Sequence, residues 1–407
     1  MIKAAKNRIK PYYAPMEDVV LANQEKVLRA FHAAKVASHS FGDSTGYAYS
    51  DQGREALEEV YAHVFRAEAA LVRPQIASGT HAISLCLSIL EPGDELVSAS
   101  GAPYDTLQSV IGVRGDSPRS LIKRGIIYDE VPLLDNGRLN LEAIREQVSP
   151  TTKMAIFQRS RGYSWRPSLT ISELAAGISA VRESNPSCII FVDNCYGEFV
   201  EYYEPLEAGA DLIAGSLIKN PGGALAISGG YIAGRKDLVD LCAEILTAPS
   251  LGNKIGSTFG LTRSLLQGLF FAPHVVGEAV YGAILAAEVF QSLGYEVSPL
   301  PDAHRTDIVQ AIKFKSRDEL LRFCHGIQMA APVDAHYMPV PSPMPGYDDE
   351  VVMAGGTFIQ GSSIELSADG PLREPYIGYL QGGISRQHVE IGLKFAIKEL
   401  GIDESIA

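Results

Sequence analysis

The chain has 407 residues, 46% of them hydrophobic and 20% charged, with a formal net charge of −13. That length and composition describe a globular chain of about two or three domains, and the acidic balance argues against nucleic acid, whose binders usually carry a basic face. No run approaches the roughly 18 apolar residues that span a bilayer, no apolar core follows the basic N-terminus, and the five scattered cysteines fit a reducing cytoplasm better than a disulfide framework or a zinc site.

In chain order, residues 16–37 predict a helix with an apolar stripe at Val19, Val20, Val27, Leu28 and Phe31. A loop of Gly and small polar residues over 41–54 carries Tyr47, Tyr49 and Arg54, and the pattern turns helical again from Glu55. Beyond it, strand and helix alternate. Strands are expected over 71–77, 95–100, 126–133, 153–158, 188–194, 211–216 and 229–234, with helices reaching Leu90 and spanning 172–183. Strands this apolar, separated by helices, predict an α/β fold with a mostly parallel seven-stranded sheet covered on both faces. A long helix over 275–293 follows, rich in Ala and Gly. Strands over 307–314 and 363–368, with helices over 317–327 and 385–400, predict a smaller C-terminal α+β domain. The expected division is an arm over 1–54, a large domain over 55–274, and a linking helix with the small domain over 275–407. The Pro- and Met-rich stretch 332–346 reads as an ordered loop, since unstructured stretches of that length in compact domains are usually functional or mobile.

The turn Ser78-Gly79-Thr80 follows an apolar strand and opens a helix. Two hydroxyls, a glycine and the free N–H groups of a helix start suit a phosphate, although a plain helix cap uses the same residue types. Tyr104 follows the next strand, where a flat ring can stack on a ligand or serve as an ordinary half-buried tyrosine. Asp193 ends the apolar strand 188–194, where α/β proteins place their ligands. A carboxylate there needs a partner; a protonated pyridine nitrogen is one, and a simple turn role is the alternative. Lys219 stands between an apolar strand and the turn Asn-Pro-Gly-Gly, with the Ser216 hydroxyl three residues before it. Burial is expected to lower its pKa and free its amine for imine formation. Lys254 follows no apolar strand and is placed second. In that order, anion cradle, carboxylate and solitary lysine are the parts needed to hold pyridoxal phosphate.

Other side chains are candidates around that core. Tyr47, Tyr49 and Arg54 either reach a phosphate, including that of a neighbouring subunit, or belong to a surface loop. Arg373, just after a strand of the second domain, can clamp a substrate carboxylate or pair with a nearby acid such as Glu374. Arg159 and Arg161 stand behind it as candidates for the cofactor's phenolate oxygen or the substrate. The histidines share no ligand spacing, so no metal is expected.

The order Ser78-Gly79-Thr80, Tyr104, Asp193, Ser216 with Lys219, then Arg373 resembles the fold-type I pyridoxal-phosphate enzymes, which are aspartate aminotransferase-like in architecture. It is most similar to the Cys/Met-metabolism group. The segments Phe41-Gly-Asp-Ser-Thr-Gly-Tyr47, Phe191-Val-Asp-Asn-Cys-Tyr-Gly-Glu198 and Gly215-Ser-Leu-Ile-Lys-Asn-Pro-Gly-Gly223 resemble its aluminium-resistance or methionine γ-lyase-like branch. The resemblance covers nearly the whole chain. It implies a lyase cleaving a carbon–sulfur bond in an amino acid such as cystathionine or methionine. Another fold-type I reaction (aminotransfer, decarboxylation or racemisation) and a cofactor-binding protein without turnover are the alternatives. By resemblance, Tyr47, Tyr49 and Arg54 serve the adjacent subunit's phosphate, which implies a homodimer at least and a tetramer by family habit. The lyases' Ser-Asn-Pro loop is replaced here by Arg159-Ser-Arg-Gly-Tyr163-Ser-Trp165, a departure that bears on the substrate.

Overall fold

A computed structural model describes residues 1–402. Two helices open the chain, α1 (Ile2–Arg8) and α2 (Lys10–Ala33), so the helical arm begins well before residue 16. Pro11 sits in the first turn of α2, where its missing N–H costs no bond. Helix α3 (Gln52–Phe65) starts at Asp51, whose carboxylate caps the N–H of Arg54.

The large sheet is then built from β1 (Ala69–Arg73), α4 (Gly79–Leu87), β2 (Glu95–Ser98), α5 (Asp105–Ile111), β3 (Ile127–Glu130), α6 (Leu141–Gln147), β4 (Thr152–Gln158), α7 (Ile171–Ser184), β5 (Ile189–Asp193), β6 (Leu212–Ser216), β7 (Gly230–Gly234) and α8 (Lys236–Leu246). Its seven strands run in the order β1-β7-β6-β5-β4-β2-β3. Four pairings are parallel, and β7 alone runs against its neighbours β1 and β6. Strands β1, β2, β4, β5 and β6 therefore point the same way, and their C-terminal ends share one edge of the sheet, the usual place for ligands in such folds. The expected strands are all present with ends shifted by up to four residues, β1 and β4 beginning earlier than expected; α5, α6 and α8 were not predicted.

Helix α9 (Thr262–Ser292) comes next and holds residue 275 in its interior. It has the length and hydropathy of a membrane span, yet 78% of its apolar window is buried within the fold. It packs on α1, α2, α3 and α11, so its apolar character is spent on protein contacts. The C-terminal part comprises β8 (Glu296–Ser298), β9 (Val309–Lys313), α10 (Arg317–Met329), β10 (Val351–Ala354), β11 (Ser367–Pro371), β12 (Ile377–Gln381) and α11 (Arg386–Glu399). Its strands form an antiparallel sheet in the order β10-β11-β12-β9-β8. Two expectations shift here. The strand placed at 363–368 lies at Ser367–Pro371, and β8, β10 and β12 join it unannounced.

Beneath the large sheet's ligand edge, Glu198 is fully buried. It accepts a hydrogen bond from Tyr231 at 2.9 Å, while its second oxygen has no partner. Burial pushes its carboxyl up to about 8, with Glu204 adding to the push. A carboxyl that titrates at about 8 when folded and near the ordinary 4.5 when unfolded is protonated only in the folded chain between those values. Folding then binds a proton, and stability falls as pH rises through that window. Denaturant unfolding between pH 5 and 8 is expected to show Glu198→Gln losing a slope of about 1.4 kcal/mol per pH unit relative to the parent. Parallel profiles for the two proteins would contradict the protonated assignment.

Candidate functional site

The shared edge of the large sheet opens into a cavity of about 310 Å³, walled on its other side by the C-terminal sheet. Ser78, Gly79, Thr80, Tyr104, Asp193, Ser216 and Lys219 all line it. These residues come from turns after four strands, brought together because those strands run the same way.

At one end, α4 points its first turn at the cavity. Ser78 caps this helix by accepting the N–H of His81 at 3.1 Å, so the cap reading holds. The cap leaves other first-turn N–H groups with no partner inside the helix, and with them the positive end of its dipole. Gly79 is required by closeness: a Cβ there would sit 3.2 Å from Cβ of Ser216 and 3.3 Å from Sγ of Cys195. The Thr80 and Tyr104 hydroxyls are 3.0 Å apart, and the Tyr104 N–H donates to Gln158 at 2.8 Å. The tyrosine ring is thereby fixed beside the anion end.

Asp193 is 3% exposed and accepts the N–H of Cys195 at 3.1 Å. Burial raises its pKa, and Lys219 works against that rise. The two are neighbours because β5 and β6 pair in parallel. The turns beyond these strands are laced together by Asn220, whose amide donates to the carbonyls of Tyr196 and Glu198 at 2.9 and 3.0 Å. Tyr196 takes a positive φ of 72°, a strained choice for a bulky residue, and its ring lies 4.1 Å below Nζ of Lys219. After Lys219, Gly223 adopts φ +51, and any Cβ on it would strike the Gly268 carbonyl of α9.

The expectation for the lysine's proton is corrected. Burial does pull the Lys219 ammonium down, but Cys195, Tyr196, Asp193 and Tyr104 pull it up by more, so the net direction is upward. Desolvation alone was the wrong guide, because the strand order also delivers an acid to the amine. Lys254, the competing lysine, is exposed and lies outside the cavity wall.

Several expected residues are not brought to this cavity. Tyr47 and Tyr49 are 72% and 63% exposed and stack on each other at 5.7 Å. Arg54 is buried, and its guanidinium donates to the carbonyls of Ala48, Lys254 and Gly256. Arg373, expected to clamp a substrate carboxylate, instead pairs with Asp349 at 2.9 Å and leaves 42% of its side chain exposed. Arg159 is spent on Asn194, Gly197 and Glu201. Arg161 differs from all of these. It is 1% exposed, none of its three guanidinium nitrogens has a hydrogen-bond partner among the described residues, and Ser160 and Gly162 on either side of it line the cavity. Burial lowers its pKa, opposed by Asp307 and Tyr379.

The sequence reading missed Gln158, Tyr163, Tyr196, Tyr347, Asp369, Tyr379 and Gln381, all of which line the cavity. Tyr347 directly follows the Pro- and Met-rich stretch 332–346 that was read as an ordered loop. Asp369, Tyr379 and Gln381 share one face of β11 and β12, where Asp369 is the cross-strand partner of Tyr379.

The cavity thus presents an anion-binding helix end, an aromatic ring, a buried acid and a lysine. Those groups match the phosphate, ring, ring nitrogen and aldehyde of pyridoxal phosphate. Comparison with known proteins agrees with this geometry. A protein of Listeria monocytogenes str. 4b F2365, whose name associates it with cystathionine beta-lyase and aluminum resistance, is 50% identical with a TM-score of 0.96, over 98% of this chain and 99% of that one. A carbon-sulfur lyase involved in aluminum resistance from Clostridium novyi NT is 46% identical with a TM-score of 0.93, over 97% of this chain and 94% of its own. The uncharacterized protein YnbB of Bacillus subtilis (strain 168) is 48% identical over 387 residues, 95% of this chain and 92% of that protein. The seven-stranded sheet with its smaller C-terminal partner is the fold-type I architecture that the resemblance implied. The family model for methionine gamma-lyase matches residues 1–401, and the chain belongs to that family.

Proposed function

We propose that this cavity holds pyridoxal phosphate and that the chain is a carbon–sulfur lyase for a sulfur amino acid of the cystathionine or methionine type. The observation that carries the reading is the meeting of Lys219, buried Asp193 and the N-terminus of α4 around one cavity. The names of the Listeria and Clostridium relatives support the reaction class.

Pyridoxal phosphate, when bound, supplies an aldehyde carbon for amines and a ring that draws electrons from the substrate's α carbon. The α4 N–H groups, with Thr80 and Ser216, hold the phosphate. Asp193 keeps a proton on the ring nitrogen, because a buried carboxylate is stable only beside a positive partner. Tyr104 offers an aromatic face. Lys219 carries the amine that removes the proton from the substrate's α carbon. Once Asp193 is committed to a ring nitrogen, part of the charge holding the Lys219 proton is gone, and the amine is freed for that work. For the substrate's own carboxylate, the buried and unpaired Arg161 is favoured over Arg373, whose guanidinium is already paired in solvent. The exposed Tyr47–Tyr49 pair, idle in its own chain, supports service to the phosphate of a second subunit.

Incubation of the loaded protein with thioether amino acids is expected to release thiol, ammonia and keto acid in equal amounts. Amino transfer to an added keto acid, or α-proton exchange with no thiol released, would overturn the lyase reading. Lys219→Ala is expected to lose the visible absorbance of lysine-bound cofactor and at least about 10³-fold in turnover.

Arg161→Lys is expected to raise KM for the amino acid about tenfold or more with kcat little changed, while Arg373→Gln moves both by less than about twofold. The reverse pattern would restore Arg373 to the site. For the subunit question, Tyr47→Ala/Tyr49→Ala chains mixed with Lys219→Ala chains are expected to regain about a quarter of parental activity, since half the dimers are mixed and each has one complete site. No recovery after subunit exchange would confine those tyrosines to their own chain.

A further inference from the structure

The far wall of the cavity carries a carboxylate that the lyase chemistry does not use. Asp369 lies mid-strand on β11, 7% exposed, and lines the cavity opposite Lys219's turn. Its Oδ2 accepts from the Gln381 amide at 2.8 Å, and its Oδ1 has no hydrogen-bond partner among the described residues. Its hydrogen-bonding neighbours, Gln381 and Tyr163, are both neutral, and Lys219 adds a weaker positive influence. Burial pushes this carboxyl up to about 7, against Tyr163, Gln381 and Lys219.

What surrounds Asp369 is aromatic. Tyr163 lies 5.2 Å from Tyr379 and 5.5 Å from Tyr347, ring centre to ring centre. Tyr379 is the cross-strand partner of Asp369, and Tyr196 already receives a cation, Nζ of Lys219, over its ring at 4.1 Å. All four tyrosines feel the Asp369 charge. A half-satisfied carboxylate framed by electron-rich rings is the chemistry that recognises an organic cation. It leaves a purely apolar tail facing a half-satisfied buried acid.

We infer that Asp369 and the tyrosines around it select an amino-acid substrate that carries a second, positively charged amine at the far end of its side chain. This rests on the reading that the cavity takes an amino acid at Lys219, and it narrows the substrate from thioether amino acids in general to those whose departing thiol bears an ammonium group. A simple alkyl thioether such as methionine leaves Asp369 unmatched.

The test uses two isosteric probes with the cofactor-loaded protein, S-(2-aminoethyl)-L-cysteine and S-propyl-L-cysteine. The parent is expected to favour the aminoethyl probe in kcat/KM by at least about tenfold. Asp369→Asn is expected to bring the two within about threefold, by losing the amine probe and sparing the propyl one. A parent indifferent to the amine, or a variant that keeps the preference, overturns the inference. Binding of the non-cleavable pair L-lysine and L-2-aminoheptanoate to the parent, measured by calorimetry, separates this inference from the lyase reading. Tighter binding of lysine supports the cation site even where no thiol is released from either probe, and equal binding rejects it even where both are cleaved.

Discussion

Placing an acid and an amine together under protein is the costly act in this molecule, and much of the surrounding architecture answers it. Asp193 ends β5 and Lys219 stands three residues beyond the end of β6, and the parallel pairing of those strands sets the two side by side. Their mutual attraction offsets part of the desolvation cost. The rest is met by local wiring: the Cys195 N–H on the Asp193 carboxylate, the Tyr196 ring under the amine, and the Asn220 amide tying the two turns. The strained backbone at Tyr196 is held by the Asn220 amide on its carbonyl.

The cavity has two unlike walls. The large sheet gives one wall, whose helix end, acid and amine match the parts of pyridoxal phosphate. Facing it, Tyr379, Gln381 and the half-satisfied Asp369 of the C-terminal sheet join Tyr163, Tyr196 and Tyr347, which come from loops. Arg161, sealed behind residues that line the cavity and bonded to nothing, adds a positive charge on the same side.

How much of this the sequence disclosed follows from the kind of signal each part leaves. Strands β4, β5 and β6 are buried on both faces and read as unbroken apolar runs, so Asp193 and Lys219 stood out against them. Ser78-Gly79-Thr80 was legible because a helix start and an anion site want the same residues. The C-terminal wall was opaque for the opposite reason. Its strands span three to five residues, and β11, written Ser-Ala-Asp-Gly-Pro, is poor in β-branched residues. Asp369 and Tyr379 are juxtaposed only by register, and register is not written in either segment alone. Arg373 misled because it sits at the expected distance after a strand, while its partner Asp349 comes from a loop that no pattern located.

Helix α9 touches both halves of this arrangement. At Gly268 its backbone presses against Gly223, in the turn that follows the lysine, and farther along it packs on β9 of the C-terminal sheet. One rod thus serves as a common axle for the two walls. A side chain added at Gly268 would wedge the lysine's turn outward and also tilt the helix that seats the opposite sheet, so coenzyme capture and ligand preference are geared to each other through a contact that neither ligand ever reaches.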